Sequence, residues 1–148
     1  LKQLEKQRTS LFDGVATSQP ALAYARKLGQ RVSRVGFDWT DADHALTDVD
    51  AEVAELAEAR ESGDEAAIVD EYGDVLYALV NVARHLDIDP ELALRAAANK
   101  FRRRFEAIEA MATERALDLH ATDLATLDAM WDEVKAAERG AVAEPGGG

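Results

Sequence analysis

Glu52 and Glu55, and again Glu71 and Asp74, are carboxylates three positions apart, a spacing that puts both members on one face of a helix. Carboxylates grouped this way either decorate a solvated face or hold cations. Spacing alone favours the first, because the chain has 29 acidic residues and repeats the pattern at Glu55/Glu58, Glu58/Glu61 and Glu106/Glu109. The relation between the two pairs is more specific. Their common midpoint is Gly63, a helix breaker. In an antiparallel hairpin turning there, each pair lies about 14 Å along the axis from the turn, level with the other. Each pair also borders apolar positions, Val53 and Leu56 in one helix and Tyr72 and Val75 in the other. Four carboxylates brought together beside a core repel one another unless cations neutralise them. An all-oxygen donor set favours a hard ion, so Mg²⁺ is the expected occupant, with Mn²⁺ as the alternative.

Mg²⁺ retains water and usually completes its shell with phosphate oxygens. That links the acidic pairs to a basic cluster, Lys100, Arg102, Arg103 and Arg104, in an otherwise acidic chain. Lys100 and Arg104 are four apart beside Phe101 and Phe105, and they are candidates for binding phosphate oxygens. The alternative is a solvated basic face that offsets acidic neighbours. Gly73 lies between Glu71 and Asp74, where a glycine inside a helix costs about 1 kcal/mol relative to alanine. Close approach of another helix or of a phosphate would account for it, as would a small residue tolerated at a crossing.

Composition removes several function classes. A net charge of −12 argues against non-specific binding to nucleic acid. The absence of cysteine excludes disulfides and thiolate metal sites. A di-iron carboxylate bundle needs Glu-x-x-His motifs. His85 follows Val82 by three and His120 follows Leu117, and only Asp41/His44 comes near. The non-enzymatic rival is an acidic helical interaction module whose charges confer solubility.

The elements that must position these residues are helical, since alanine, leucine and acidic residues dominate and prolines number three. Residues 1–18 are polar and irregular. Pro20 suits the first turn of a helix to about Arg34, and a loop spans Gly36–Thr40. A second helix runs from near Asp41 to Ser62 with a Leu46, Val49, Val53, Leu56 seam. A third covers about 65–87 on a stripe of Ile68, Tyr72, Val75, Leu79, Val82 and Leu86, broadened by Val69, Leu76 and Val80. A fourth starts at Pro90 and fades after about Arg115, with Leu94, Phe101, Phe105, Ile108 and Ala112 facing a core. A fifth covers about 123–138, capped by Thr122 or Asp123. The expected fold is an all-α antiparallel bundle over 1–139, with a disordered tail over 140–148. One hairpin with short helices leaves an apolar face uncovered, so a homodimer is expected. No apolar run approaches the roughly 20 residues that span a bilayer, so a cytoplasmic protein is expected. Opening on Leu1 suggests a piece of a longer chain.

The ordered series Ser10–Val15, Arg34–Trp39, Glu52-x-x-Glu55, Asp70–Asp74, Val80–Leu86, Lys100–Phe105 and Trp131–Lys135 resembles the MazG family of all-α nucleoside triphosphate pyrophosphohydrolases. The resemblance spans about residues 1–139 and is closest to the C-terminal, catalytic half of two-domain members. It implies hydrolysis of nucleoside and deoxynucleoside triphosphates to the monophosphate and pyrophosphate. It also implies Mg²⁺ on Glu52, Glu55, Glu71 and Asp74. Lys100 and Arg104 match positions that contact the triphosphate, and Trp131 and Lys135 match positions near the base and phosphates. Stacking on Trp131 would give broad base tolerance, and Glu52 or Glu55 is the first choice to accept a proton from water. The family is dimeric or tetrameric, with active sites close to the subunit interface. The chain departs from the pattern at Ala51 and Asp70, where many relatives have glutamate, and at Ala98, where asparagine is common. A catalytically weakened relative is therefore a further alternative.

Overall fold

The computed structural model describes residues 9–143, so expectations for 1–8 and 144–148 fall outside the described residues. Within that span the chain is all-helical, as expected. Helix α1 is Ala21–Ser33, α2 is Ala42–Ser62, α3 is Glu65–His85, α4 is Pro90–Glu114 and α5 is Leu124–Ala143. A 3₁₀ turn at Leu119–Ala121, not foreseen from the sequence, precedes α5.

Aspartates start four of these helices by accepting amide hydrogens that the first turn leaves unpaired. Asp41 accepts from His44 N at 2.9 Å and Asp64 from Ala66 N at 3.0 Å. Asp89 accepts from Glu91 N at 3.0 Å and Asp123 from Thr126 N at 2.9 Å. Helix α1 follows Pro20 and has no side-chain cap of its own. Its first amides instead reach Glu91 Oε1, with Leu22 N at 3.0 Å. Helix α5 continues to Ala143, so residues 140–143, which the sequence placed in a tail, are its last turn. Ala136, Ala137 and Ala141 favour that extension, and the lone Gly140 costs only about 1 kcal/mol.

The chain divides into two compact units, one up to Ala93 and one from Leu94. In the first, α2 and α3 pack as the expected hairpin and α1 packs on α3. The buried faces are built from small residues: Ala45, Ala59, Ala78 and Ala83 lie with Val80 and Val82. The larger residues expected in the seams behave differently. Leu46, Val53, Tyr72 and Leu79 are each about half exposed. The apolar stripe of α3 is wider than its helical neighbours in this unit cover, and alanine faces bring those neighbours in close.

The second unit contains the rest of α4, the 3₁₀ turn and α5. Its core is Ile108, Ala112, Met130 and Val134, with Leu119 and Leu127 packed against it. Ile108 and Ala112 were expected there; Leu94 and Phe101 are exposed. Ile108 is only 1% exposed. Ile108→Ala is therefore expected to lower stability by about 2–5 kcal/mol, read as a reduced urea midpoint at unchanged slope.

Candidate metal centre and its cavity

The α2–α3 turn brings the acidic pairs together. Gly63 ends α2 with φ 73°, a left-handed conformation that suits glycine, and Asp64 caps α3 immediately afterwards. With only two residues between the helices, Glu52 and Glu55 on α2 come level with Glu71 on α3. Glu52, Glu55 and Glu71 each offer a carboxylate oxygen within 4.8 Å of the others. A second group with the same spacing is Asp70, Glu71 and Asp74, so Glu71 belongs to both. Asp70 had not been picked out as a ligand; its signal is its place one residue before Glu71 and four before Asp74.

Two oxygens at the centre, Glu52 Oε2 and Glu71 Oε2, are shielded from solvent and lack a hydrogen-bond partner among the described residues. Shielding from water is the main force raising the Glu52 carboxyl to about 7, followed by its hydrogen bond with Glu55 and the charges of Glu55, Asp74 and Asp48. Glu71 is raised as well, again chiefly by desolvation and next by the charge of Glu55. Unpartnered carboxylate oxygens that repel one another fit a hard divalent cation, whose charge would reverse these shifts.

Glu52 also opens onto a cavity of about 460 Å³, whose walls include Phe37, Trp39, Tyr77, Asn81 and Arg84. That volume falls in the range of small-molecule sites. Asp48, one helical turn before Glu52, lines the same space; it too was missed from the sequence, although an i, i+4 relation to Glu52 marks it. The loop residue Asp38 faces Arg84 here, accepting from its Nη2 at 2.7 Å and Nη1 at 3.2 Å. That hydrogen-bonded guanidinium holds the Asp38 carboxyl down to about 2.

Lys100, Arg104, Trp131 and Lys135, the residues matched to substrate binding, all belong to the second unit. There Arg104 donates through Nη2 to Glu138 Oε2 at 2.9 Å and lies 5.5 Å over the Trp131 ring. Phe101 leans on the same indole, with ring centroids 5.5 Å apart. Lys135 is half-buried and Lys100 exposed. The Glu138 partner was not foreseen.

The raised Glu52 carboxyl has a consequence for the metal-free protein. The folded state binds this proton more tightly than the unfolded state, whose ordinary value is 4.5. The resulting stabilisation is complete below that value and disappears as pH rises through about 7. Thermal unfolding in chelator should therefore show a midpoint that falls between pH 5 and pH 8. Glu52→Gln should flatten that fall, and excess Mg²⁺ at pH 8 should raise the wild-type midpoint.

Comparison with known proteins agrees with this geometry. Residues 43–115 match the family described as the MazG nucleotide pyrophosphohydrolase domain. The chain is 39% identical over 139 residues to the nucleoside triphosphate pyrophosphohydrolase of Escherichia coli strain K12, covering 93% of this chain and 53% of that protein. It is 35% identical over 130 residues to the Thermotoga maritima nucleoside triphosphate pyrophosphohydrolase/pyrophosphatase MazG, covering 88% and 50% respectively. A Bacillus subtilis protein, YabN, is 49% identical over 69 residues, or 47% of this chain and 14% of its own. The chain spans about half the length of the first two relatives. The matched segment contains α2 from its second residue, the turn at Gly63 and α3, the elements that carry both carboxylate groups, and the chain belongs to the MazG nucleotide pyrophosphohydrolase family.

Proposed function

We propose that this chain hydrolyses nucleoside and deoxynucleoside triphosphates to the monophosphate and pyrophosphate, with Mg²⁺ held by Glu52, Glu55, Glu71 and Asp74. The observation that carries this reading is the convergence of carboxylates from two helices on shielded oxygens without partners. The names of the relatives supply the reaction class. Bound Mg²⁺ would neutralise triphosphate charge and acidify water.

The chain's own residues divide the remaining work. The cavity beside Glu52 offers room for the nucleoside, with aromatic walls suited to stacking on any base and hence to broad base tolerance. By their match to the family pattern, Lys100 and Arg104 of the second unit are assigned to phosphate oxygens, and Trp131 and Lys135 to base and phosphate. Water attacks in line at the α-phosphorus, a new P–O bond forms, and the bond to the bridging oxygen breaks as pyrophosphate leaves. Of the two candidates to accept the water's proton, Glu52 is favoured over Glu55, because its Oε2 is shielded and unpartnered.

The assembly is a homodimer in this reading. Val69, Tyr72, Leu76 and Leu79 follow the spacing of a packed helix seam along α3 yet stand exposed, Val69 at 72% and Tyr72 at 56%. No helix among the described residues is long and apolar enough to cross a membrane. The acidic charge disfavours nucleic acid as a partner, and we place the protein in the cytoplasm.

A panel of nucleoside triphosphates with Mg²⁺ should release pyrophosphate and monophosphate in equal amounts, and chelator should stop it. Glu71→Gln should lower kcat by at least about a hundredfold with helicity intact, since both carboxylate groups share that residue. Activity retained in that variant would refute the ligand set. The absence of release from any triphosphate would leave the acidic interaction module or a weakened relative. Sedimentation at micromolar concentration should give twice the chain mass, and a monomer would contradict the dimer.

A further inference from the structure

In the loop between α1 and α2 the Asp38 side chain is turned in while the aromatic side chains on either side of it are turned out. The Asp38 side chain is 22% exposed, whereas Phe37 and Trp39, taken as whole residues, are 78% and 41% exposed. Burial of apolar surface alone would produce the opposite arrangement, because each aromatic ring left in water forgoes a large hydrophobic gain. Some interaction must hold the loop in this inverted state.

That interaction is a dense polar clamp from α3. Arg84 presents its fork to the Asp38 carboxylate through Nη1 and Nη2, at 3.2 and 2.7 Å. The same Nη2 donates to Asn81 Oδ1 at 3.1 Å, and His85 Nε2 lies 3.1 Å from Asp38 Oδ1. The carboxylate also accepts the Trp39 amide at 2.8 Å, so it fixes the backbone that aims the indole. Arg84 itself is 10% exposed and lies across α1 at Gly29, where an added Cβ would come within 2.5 Å of its Nε. That Nε is buried and has no partner among the described residues, so the arginine is seated for its fork at some expense to its third nitrogen. Phe37 and Trp39, the rings this clamp exposes, are walls of the cavity onto which Glu52 opens.

We propose that Arg84, acting through Asp38, is a positioning residue for the nucleoside, holding Phe37 and Trp39 at the wall of the cavity beside Glu52. The assignment rests on the triphosphate reading above. Neither Arg84 nor Asp38 touches reacting atoms; each acts through the loop. A bidentate ion pair suits this task better than apolar packing, because it fixes the direction of the loop as well as its location.

The test uses the full chain with Mg²⁺ and compares wild type with Asp38→Asn, Arg84→Gln and the double variant. KM for nucleoside triphosphates is expected to rise about tenfold in each single variant, with kcat within about twofold. The double variant should be no worse than either single one, since the two residues form one device. Inhibition by inorganic tripolyphosphate, which has no nucleoside, should be unchanged. Asp38→Glu keeps the charge while lengthening the arm by one methylene, and it should show the same loss confined to KM if the other variants fail to fold. Unchanged KM in an active, folded variant would overturn the proposal alone. So would an equal loss for tripolyphosphate, or a shifted dimer equilibrium with KM untouched, which would assign the loop to subunit contact. An inactive wild type would instead refute the triphosphate reading and this inference with it.

Discussion

Mutual repulsion among carboxylates is the constraint that the first unit is built to withstand. Glu52, Glu55 and Glu71 would move apart in a flexible chain, and they are held within 4.8 Å of one another by two stiff helices joined through Gly63 and Asp64. A non-glycine residue at φ 73° would strain that turn, and loss of the Asp64 cap would loosen the first turn of α3. The alanines along α2 and α3 serve the same end, because small side chains let the helix axes approach until the carboxylates meet. The arrangement works against stability, since it stores unfavourable charge that a cation would relieve.

The symmetry of the two acidic pairs about Gly63 was legible in the sequence because it depends only on helical rise and a breaker. Helix starts at Asp41 and Asp123 were legible for a similar reason, since capping is a local interaction. What the sequence concealed is long-range. The cap of α1 is Glu91, far away in sequence, and the partner of Arg104 is Glu138. Neither has a local signal. The seams misled in a different way. Periodicity marks an apolar face without saying what covers it, so Tyr72 and Leu79 read as core although they stand half exposed in one chain. Asp48 and Asp70 were hidden by abundance, since in so acidic a chain one more carboxylate near a motif carries little information.

Two carboxylates on one cavity show how environment, rather than residue type, sets charge. Asp38 has its lone pairs met by a guanidinium, an imidazole and an amide, and its carboxyl is held down to about 2. Glu52 is shielded among acidic neighbours and its carboxyl rises to about 7. The first is a fixed anion committed to structure. The second is a group whose charge depends on what binds beside it, which is the property expected of a ligand or proton acceptor.

This division determines how a polyanion can approach the first unit. Arg84 is the cation on the cavity wall, and its fork is matched by Asp38 and Asn81. Asp48 and Glu52 therefore leave the wall negative, within a chain whose net charge is already −12. A triphosphate meeting that surface unaided would be repelled. In the reading proposed above, divalent cations among the carboxylates would supply charge balance at this wall, so that metal and substrate would bind together. The acidity that disfavours an unaccompanied polyanion would, in that reading, favour one that arrives with a divalent cation.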